Sequence, residues 1–297
     1  MGDGNGGKWD GSSFVIRDTN IEIKKPDKVL APDGTTRRDV VDYYAEVSDT
    51  ILPYLQGKRL TGVRWPDGVN GRSFYLKSVP KTAPEWVQTV PAPHGEADGR
   101  YVVVQDARTL IWLASTDVLE YHVPNTVHDQ PEVAEGMVLD LDPGSGCGIQ
   151  ECAVVALMIA EKYLGGRGLR YKTSGSKGLH LYLPYEKARS IEETLAEAEN
   201  VATEMAATWP SRVSSKRGAS ERSGKVFVDW HQNSRHRTTA VAYTLRGRDP
   251  IGVSVPVSKK EVELAAEGEV DLVFTCADVI SRLRQFGDLY KTAQEPE

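Results

Sequence analysis

The chain has 297 residues, 40% of them apolar and 26% charged, the proportions of a globular protein long enough to bury a substantial core. Its longest apolar stretch, 153–160, is far short of the roughly 20 residues a membrane-crossing helix needs, and three cysteines without CxxC spacing argue against a disulfide scaffold or structural zinc. The net charge of −6 speaks against a polyanionic partner until its distribution along the chain is considered.

The Gly- and Asp-rich start, 1–13, is expected to be disordered, with no apolar segment to form a signal peptide, so a reducing cytoplasm is the expected home. Residues 14–291 read as one domain in two parts that join at 135/136, and 292–297 as a ragged tail. In the first part a helix is predicted over 39–54, opened by Thr36 and carried by Val40, Val41, Tyr44, Val47, Ile51 and Leu52. Short strands are predicted over 73–77 and 100–104, and a second helix over 107–119.

The second part alternates strand and helix. A strand over 137–142 ends in Pro143-Gly144, and a helix over 149–163 is stopped by Gly165 and Gly166. Strands follow over 169–173 and 179–183, then a helix over 191–208 and a strand over 226–230. The pattern is mixed α+β around a central sheet.

The segment Met137-Val-Leu-Asp-Leu-Asp142 carries the most chemistry. Strand side chains alternate, so Val138, Asp140 and Asp142 share one face while Met137, Leu139 and Leu141 share the other. Two adjacent carboxylates repel, an arrangement that calls for a cation between them, and hard oxygen ligands select Mg2+ or Mn2+. Asp229, at the end of the apolar run Val226-Phe-Val, is a third carboxylate of the same kind. Three such groups at strand ends suit a two-metal site. Read singly, each is equally an Asp that opens a turn or pairs with a base, and DxD pairs also occur in phosphatases and glycosyltransferases.

Thr173-Ser-Gly-Ser-Lys-Gly-Leu-His180 lies between two strands. Its glycines let backbone N–H groups approach an anion, its hydroxyls donate and Lys177 adds charge, although a plain hairpin reads the same way. His180 and Tyr182 share a strand face opposite Leu179, Leu181 and Leu183. Between 211 and 248 nine Lys or Arg stand against two acidic residues, a local basic field suited to phosphate or to solvent. Within it, Arg246 and Arg248 flank Gly247. His122 alone reads as a structural histidine.

The combination of Asp140-Leu-Asp142 with Pro-Gly, TSGSKGLH at 173–180, Val228-Asp-Trp-His-Gln-Asn233 and TLRGR at 244–248 resembles the polymerase domain of bacterial end-joining DNA ligases, of the archaeo-eukaryotic primase superfamily. The resemblance runs from about residue 19 to 290. It implies a primase-type α+β fold, a central antiparallel or mixed sheet with an RRM-like catalytic core flanked by helices. It implies template-dependent extension of primer strands at short gaps and broken ends, with Mn2+ or Mg2+ and a preference for ribonucleotides. By resemblance, Asp140, Asp142 and Asp229 match the metal-binding triad. Ser174, Lys177, Gly178, His122, Gln232 and Arg246 match contacts to the incoming nucleotide. Lys28 matches the lysine that holds a downstream 5′-phosphate, Phe74 and Tyr75 an aromatic pair on the template, with Lys77 beside them, and Arg222 a residue managing protruding ends.

The chain departs from the family pattern in three places. Arg37-Arg38 stands where a second phosphate-binding lysine is frequent, His231 where Ser is common, and Tyr75 where Phe is common. No Lys-x-Asp-Gly adenylation motif and no His-rich nuclease segment is expected, so the chain reads as a stand-alone homologue or an excised domain. The implied partners are gapped or broken DNA with a 5′-phosphate, nucleoside triphosphates, the Ku protein and a ligase; the site of action is the nucleoid. The competing readings are a de novo primase, a non-catalytic end-binding subunit and, more distantly, a metal phosphatase.

Overall fold

The computed structural model describes residues 7–16, 18–92, 99–164 and 168–291. One sheet organises the second half of the chain. Its strands run in the order Val213–Ser214, Val226–Asp229, Gln130–Pro143, Leu179–Ser190, Arg170–Thr173, Pro256–Val257, and Thr126–Val127 folds back on the start of the long strand. Every pairing is antiparallel except that between Val213–Ser214 and Val226–Asp229. The four central strands alternate with helices Ile149–Ile159 and Ile191–Thr208 as β-α-β-β-α-β. The last of these strands sits beside the first, the split βαβ arrangement that RRM domains also use.

Alternation gives that sheet two different faces. Met137, Leu139, Leu141, Leu179, Leu181, Leu183 and Val228 are buried against Cys152, Ala156 and Ile159 of one helix and Ala198, Ala202 and Met205 of the other. The opposite face carries Val138, Asp140 and Asp142 and is turned towards the amino-terminal half. Helix Ile191–Thr208 forms with the predicted bounds, held at its start by a reciprocal Ser190–Glu193 capping box.

A second, four-stranded sheet has the order Thr239–Ala240, Val118–Val123, Thr61–Arg64, Phe74–Leu76. Helices Arg37–Glu46, Ser48–Leu55 and Ala107–Ser115 contribute to its core, where Tyr44, Leu110, Ile111 and Tyr121 are fully buried. Val241, Tyr243, Val253 and Tyr290 join this core, so the end of the chain is interlocked with its beginning.

Several elements differ from expectation. The helix predicted over 39–54 turns at Val47, whose ψ of 3° ends Arg37–Glu46 and starts Ser48–Leu55; Thr36 caps the first with Asp39 as predicted. The helix predicted to 119 stops at Ser115, because Asp117 takes a left-handed φ of 66° and feeds the strand Val118–Val123. The helix predicted over 149–163 is α-helical to Ile159 and then widens into a π turn, Ala160–Leu164; its predicted stops Gly165 and Gly166 lie outside the described residues. Helices Lys259–Glu267 and Cys276–Phe286 were not predicted, although capping boxes Ser258/Glu261 and Thr275/Asp278 mark their starts.

The expectation of disorder through residue 13 is corrected by a strand, Lys8–Asp10, that pairs with Ser13–Ile16. Trp9 anchors it, bonding Asp42 at 2.6 Å, lying under the Arg38 guanidinium at 4.0 Å and packing edge-on to Phe14. These residues also correct a second expectation, for Lys8-Trp9-Asp10-Gly11 does have Lys-x-Asp-Gly spacing. That spacing builds no nucleotide pocket here: Lys8 and Asp10 are exposed on a three-stranded surface sheet. Residues 1–6 and 292–297 lie outside the described residues.

Candidate active site

The register of the large sheet assembles a row of ionisable side chains. Asp229 is the direct cross-strand partner of Asp140, Asp140 of His180, and His180 of Lys172. Directly opposed residues project from the same face, so four adjacent strands present Asp229, Asp140, His180 and Lys172 in line. Asp142, two residues beyond Asp140, projects from the same face at the end of the long strand.

Each member has defined partners. Asp140 Oδ2 accepts from Gln232 Nε2 at 3.1 Å, and His180 Nε2 lies 3.2 Å from Oδ1. That second contact is off-line: buried Oδ1 has no partner in hydrogen-bonding geometry. Asp229 accepts from Arg217 on both oxygens at 3.2 Å and from the His231 backbone N–H at 3.0 Å, with His231 Nδ1 at 2.9 Å. Arg222 approaches Asp142 at 3.8 Å and stacks on Phe227 at 4.6 Å.

Burial acts to raise the Asp140 carboxyl, but His180 and Lys172 outweigh it and hold it below its ordinary value. Burial, and then the neighbouring Asp140 charge, push Asp142 the other way, up to about 6. Lys172 is brought down to about 7 by burial and by Arg246, and burial likewise lowers His180.

Beside the row lies the 173–180 loop. Ser174 Oγ accepts from the backbone N–H groups of Ser176 and Gly178 at 3.2 and 3.1 Å, closing the loop on itself. Gly175 takes φ +71°, and a Cβ there would stand 2.5 Å from Arg246 Cγ; a Cβ on Gly178 would stand 2.1 Å from the Leu141 carbonyl oxygen. Both positions need glycine so that the loop can lie between Arg246 and the Asp-bearing strand. Lys177 is exposed at the loop tip.

Glu120 binds the opposite wall together. Its oxygens accept from Arg246 Nε at 3.0 Å, the Gly247 N–H at 2.9 Å and His122 Nε2 at 2.9 Å. Arg246 also donates to the Ser174 carbonyl at 2.6 Å. Burial works to raise Glu120, but the His122 bond and Arg246 hold it below the usual range, so it is a fixed negative charge under two nitrogen groups. Burial keeps the His122 ring below its ordinary value.

Just before the strand that carries Glu120, Asp117 collects Arg37 on both oxygens at 2.8 and 2.9 Å and Lys28 at 3.0 Å. Arg37 is buried; Arg38 is turned to Trp9 and Asp27. Phe74 and Tyr75 are 50% and 75% exposed on the edge strand Phe74–Leu76, too open to serve the core, with exposed Lys77 next to them.

Comparison with known proteins identifies the family and the fold. Residues 36–290 match the sequence model of the family described as LigD, primase-polymerase domain. The chain belongs to that family. It is 35% identical over 280 residues to the multifunctional non-homologous end joining DNA repair protein LigD of Mycobacterium tuberculosis, covering 91% of this chain and 36% of that protein. It is 31% identical over 283 residues to the bifunctional non-homologous end joining protein LigD of Bacillus subtilis, covering 93% and 45%. The chain thus spans less than half the length of these relatives. The solved polymerase domain of M. tuberculosis ligase D in complex with DNA superimposes with a TM-score of 0.84 at 34% identity, over 93% of this chain and 99% of that one. This primase-polymerase domain is therefore a DNA-directed nucleotidyltransferase of the primase superfamily.

The site of this LigD-type domain fits a hard divalent cation in its chemistry. The orphaned Asp140 Oδ1 and the like-charge elevation of Asp142 are what a cation between them would relieve. The geometry is not that of a finished cage: among the described residues no group of three or more His, Cys, Asp or Glu is arranged to hold a metal ion. Asp229 is engaged by Arg217, at 3.2 Å. No helix among the described residues is long and apolar enough to cross a membrane.

Sequence reasoning missed Glu120, Asp117, Lys172 and Arg217. A signal existed for Glu120 and His122, which alternate along one strand, and for Lys172, a charge inside a strand otherwise destined for burial.

Proposed function

We propose that this domain extends primer strands at short gaps and double-strand-break ends during end joining, in the cytoplasm at the nucleoid, alongside a ligase and Ku, with a preference for ribonucleotides. The observation that carries the reading is the row Asp229–Asp140–His180 with the 173–180 loop and Arg246 at its side, because it puts oxygen ligands next to a phosphate cradle.

In this reading Asp140, Asp142 and Asp229 hold Mn2+ or Mg2+. When bound, such cations supply the positive charge that an attacking 3′-oxygen and a departing pyrophosphate require. The chain's own groups do the rest. Lys177, Arg246, His122 and the Ser174–Gly178 loop bind the triphosphate, and Gln232 steadies Asp140 and reaches the nucleotide. The primer 3′-oxygen bonds the α-phosphorus as the bridge to the β-phosphate breaks, so the cradle keeps the leaving group in line. Lys28, with Arg37 and Arg38 behind it, takes the downstream 5′-phosphate; Phe74 and Tyr75 stack on template bases, Lys77 and Arg222 contact the strand backbone, and binding is largely sequence-independent.

Primer extension on a one-nucleotide gap with a downstream 5′-phosphate tests this. Wild type should add the templated nucleotide with Mn2+, and Asp140→Ala/Asp142→Ala should not. Tight DNA binding with no addition on any end would leave only an end-binding subunit.

A further inference from the structure

Lys172 has no part in the nucleotide or DNA contacts above, yet it is buried at the end of the ionisable row. Its Nζ donates to Ser254 Oγ at 2.8 Å and reaches His180 Nδ1 at 2.8 Å. Ser254 donates its own hydroxyl hydrogen to the Thr173 carbonyl at 2.7 Å, so towards Lys172 it is an acceptor. An ammonium group has only donors. With Lys172 protonated, His180 Nδ1 accepts and the ring hydrogen sits on Nε2, the nitrogen 3.2 Å from Asp140 Oδ1.

The His180 ring is buried but borders an open space. A cavity of about 340 Å³ adjoins it, lined by His180 and Lys172 with Val138, Arg170, Tyr182 and Tyr290. An imidazole beside such a space turns or changes tautomer unless a bond fixes it. The alternative tautomer would present a lone pair to Asp140 and repel it.

We infer that Lys172 is a positioning residue: acting through His180, it fixes the imidazole with Nε2–H on the side of Asp140, 3.2 Å from the buried Oδ1, and so sets the electrostatic environment of that carboxylate. Ser254 is the anchor that keeps the amine in place. The contribution to turnover rests on the polymerase reading, whereas the state of the His180 ring does not.

Two readouts on the intact domain separate these. The first is the 15N NMR signature of His180 at about pH 6, where Lys172 is mostly charged, in wild type, Lys172→Met and Ser254→Ala. Wild type should show protonated Nε2 with Nδ1 as acceptor, and Lys172→Met should lose that preference; Ser254→Ala, which removes one buried oxygen and no carbon, should weaken it and serves as the second variant where Lys172→Met does not fold. The second is kinetic: kcat should fall about 10- to 100-fold with KM for the nucleotide within about twofold, the signature of a group that orients a site rather than binds substrate. Mn2+ affinity should fall over the same range, a readout independent of turnover. A His180 ring that keeps the Nε2–H form in every variant overturns the inference, as does kcat and Mn2+ affinity unchanged from wild type. A wild type that adds no nucleotide sinks the polymerase reading but leaves the NMR comparison decisive for Lys172.

Discussion

Asp140 and Asp229 stand directly opposite each other on antiparallel strands, two carboxylates at a position where sheets ordinarily pair opposite charges. Arg217 engages one on both oxygens with His231 beside it, and Gln232 bonds the other with His180 at 3.2 Å. A pair so expensive to assemble is explained by chemistry rather than by stability.

Asp140→Asn should therefore abolish nucleotide addition, by about a hundredfold or more, while leaving the fold intact. Gapped-duplex binding by fluorescence anisotropy should stay close to wild type. A variant retaining most of its extension rate would remove Asp140 from the reaction.

The elevated Asp142 sets a pH dependence. Its carboxyl is raised from 3.8 to about 6 in the folded chain. The folded state binds the extra proton between those values, so this group's contribution to stability is lost as pH rises from 3.8 through about 6. A divalent cation replaces the proton. Mn2+ should accordingly raise Tm more at pH 7.5 than at pH 5; equal shifts at the two pH values would contradict this account.

Glu120→Gln keeps the shape of the Arg246–His122 cluster but removes its charge. Hydrogen bonds to charged groups contribute about 1.5–3 kcal/mol, so KM for the nucleotide should rise roughly 10- to 100-fold. DNA affinity should be unaffected, because Phe74, Tyr75 and Lys28 touch neither group. Steady-state kinetics against nucleotide concentration decides it.

Asp117→Asn leaves Arg37 buried without its counter-charge and should cost about 3–5 kcal/mol of stability in urea unfolding. The same variant should lose discrimination between gaps with and without a 5′-phosphate, since Lys28 loses the partner that aims it.

Phe74→Ala and Tyr75→Ala act at exposed positions, so thermal stability should not change. Template binding should weaken by about 1–3 kcal/mol for whichever ring stacks on a base. Anisotropy with a protruding-strand duplex distinguishes the two.

Much of this site is legible in the sequence because alternation within a strand fixes which side chains share a face. Asp140 and Asp142 could be placed together from Met137-Val-Leu-Asp-Leu-Asp alone. Their register with Asp229 could not, for it depends on loops between strands some 90 residues apart along the chain. Glu120 and Asp117 escaped for the same reason: their partners Arg246 and Arg37 lie 126 and 80 residues away. Lys172 looked like any strand lysine until folding set it against His180. The fold was readable where periodicity was strong, as in Ile191–Thr208, and poorly readable for Cys276–Phe286, where one residue, Val279, is buried.

The strand Val118–Val123 follows immediately on Asp117 and carries Glu120. Asp117 holds Lys28, and Glu120 holds Arg246. Two residues, Val118 and Leu119, separate the two acids along the chain. The two acids that hold Lys28 and Arg246 are thus joined by covalent backbone and do not part as separate elements shift against each other. In the proposed function that strand joins the group that meets the downstream 5′-phosphate to the group that meets the nucleotide.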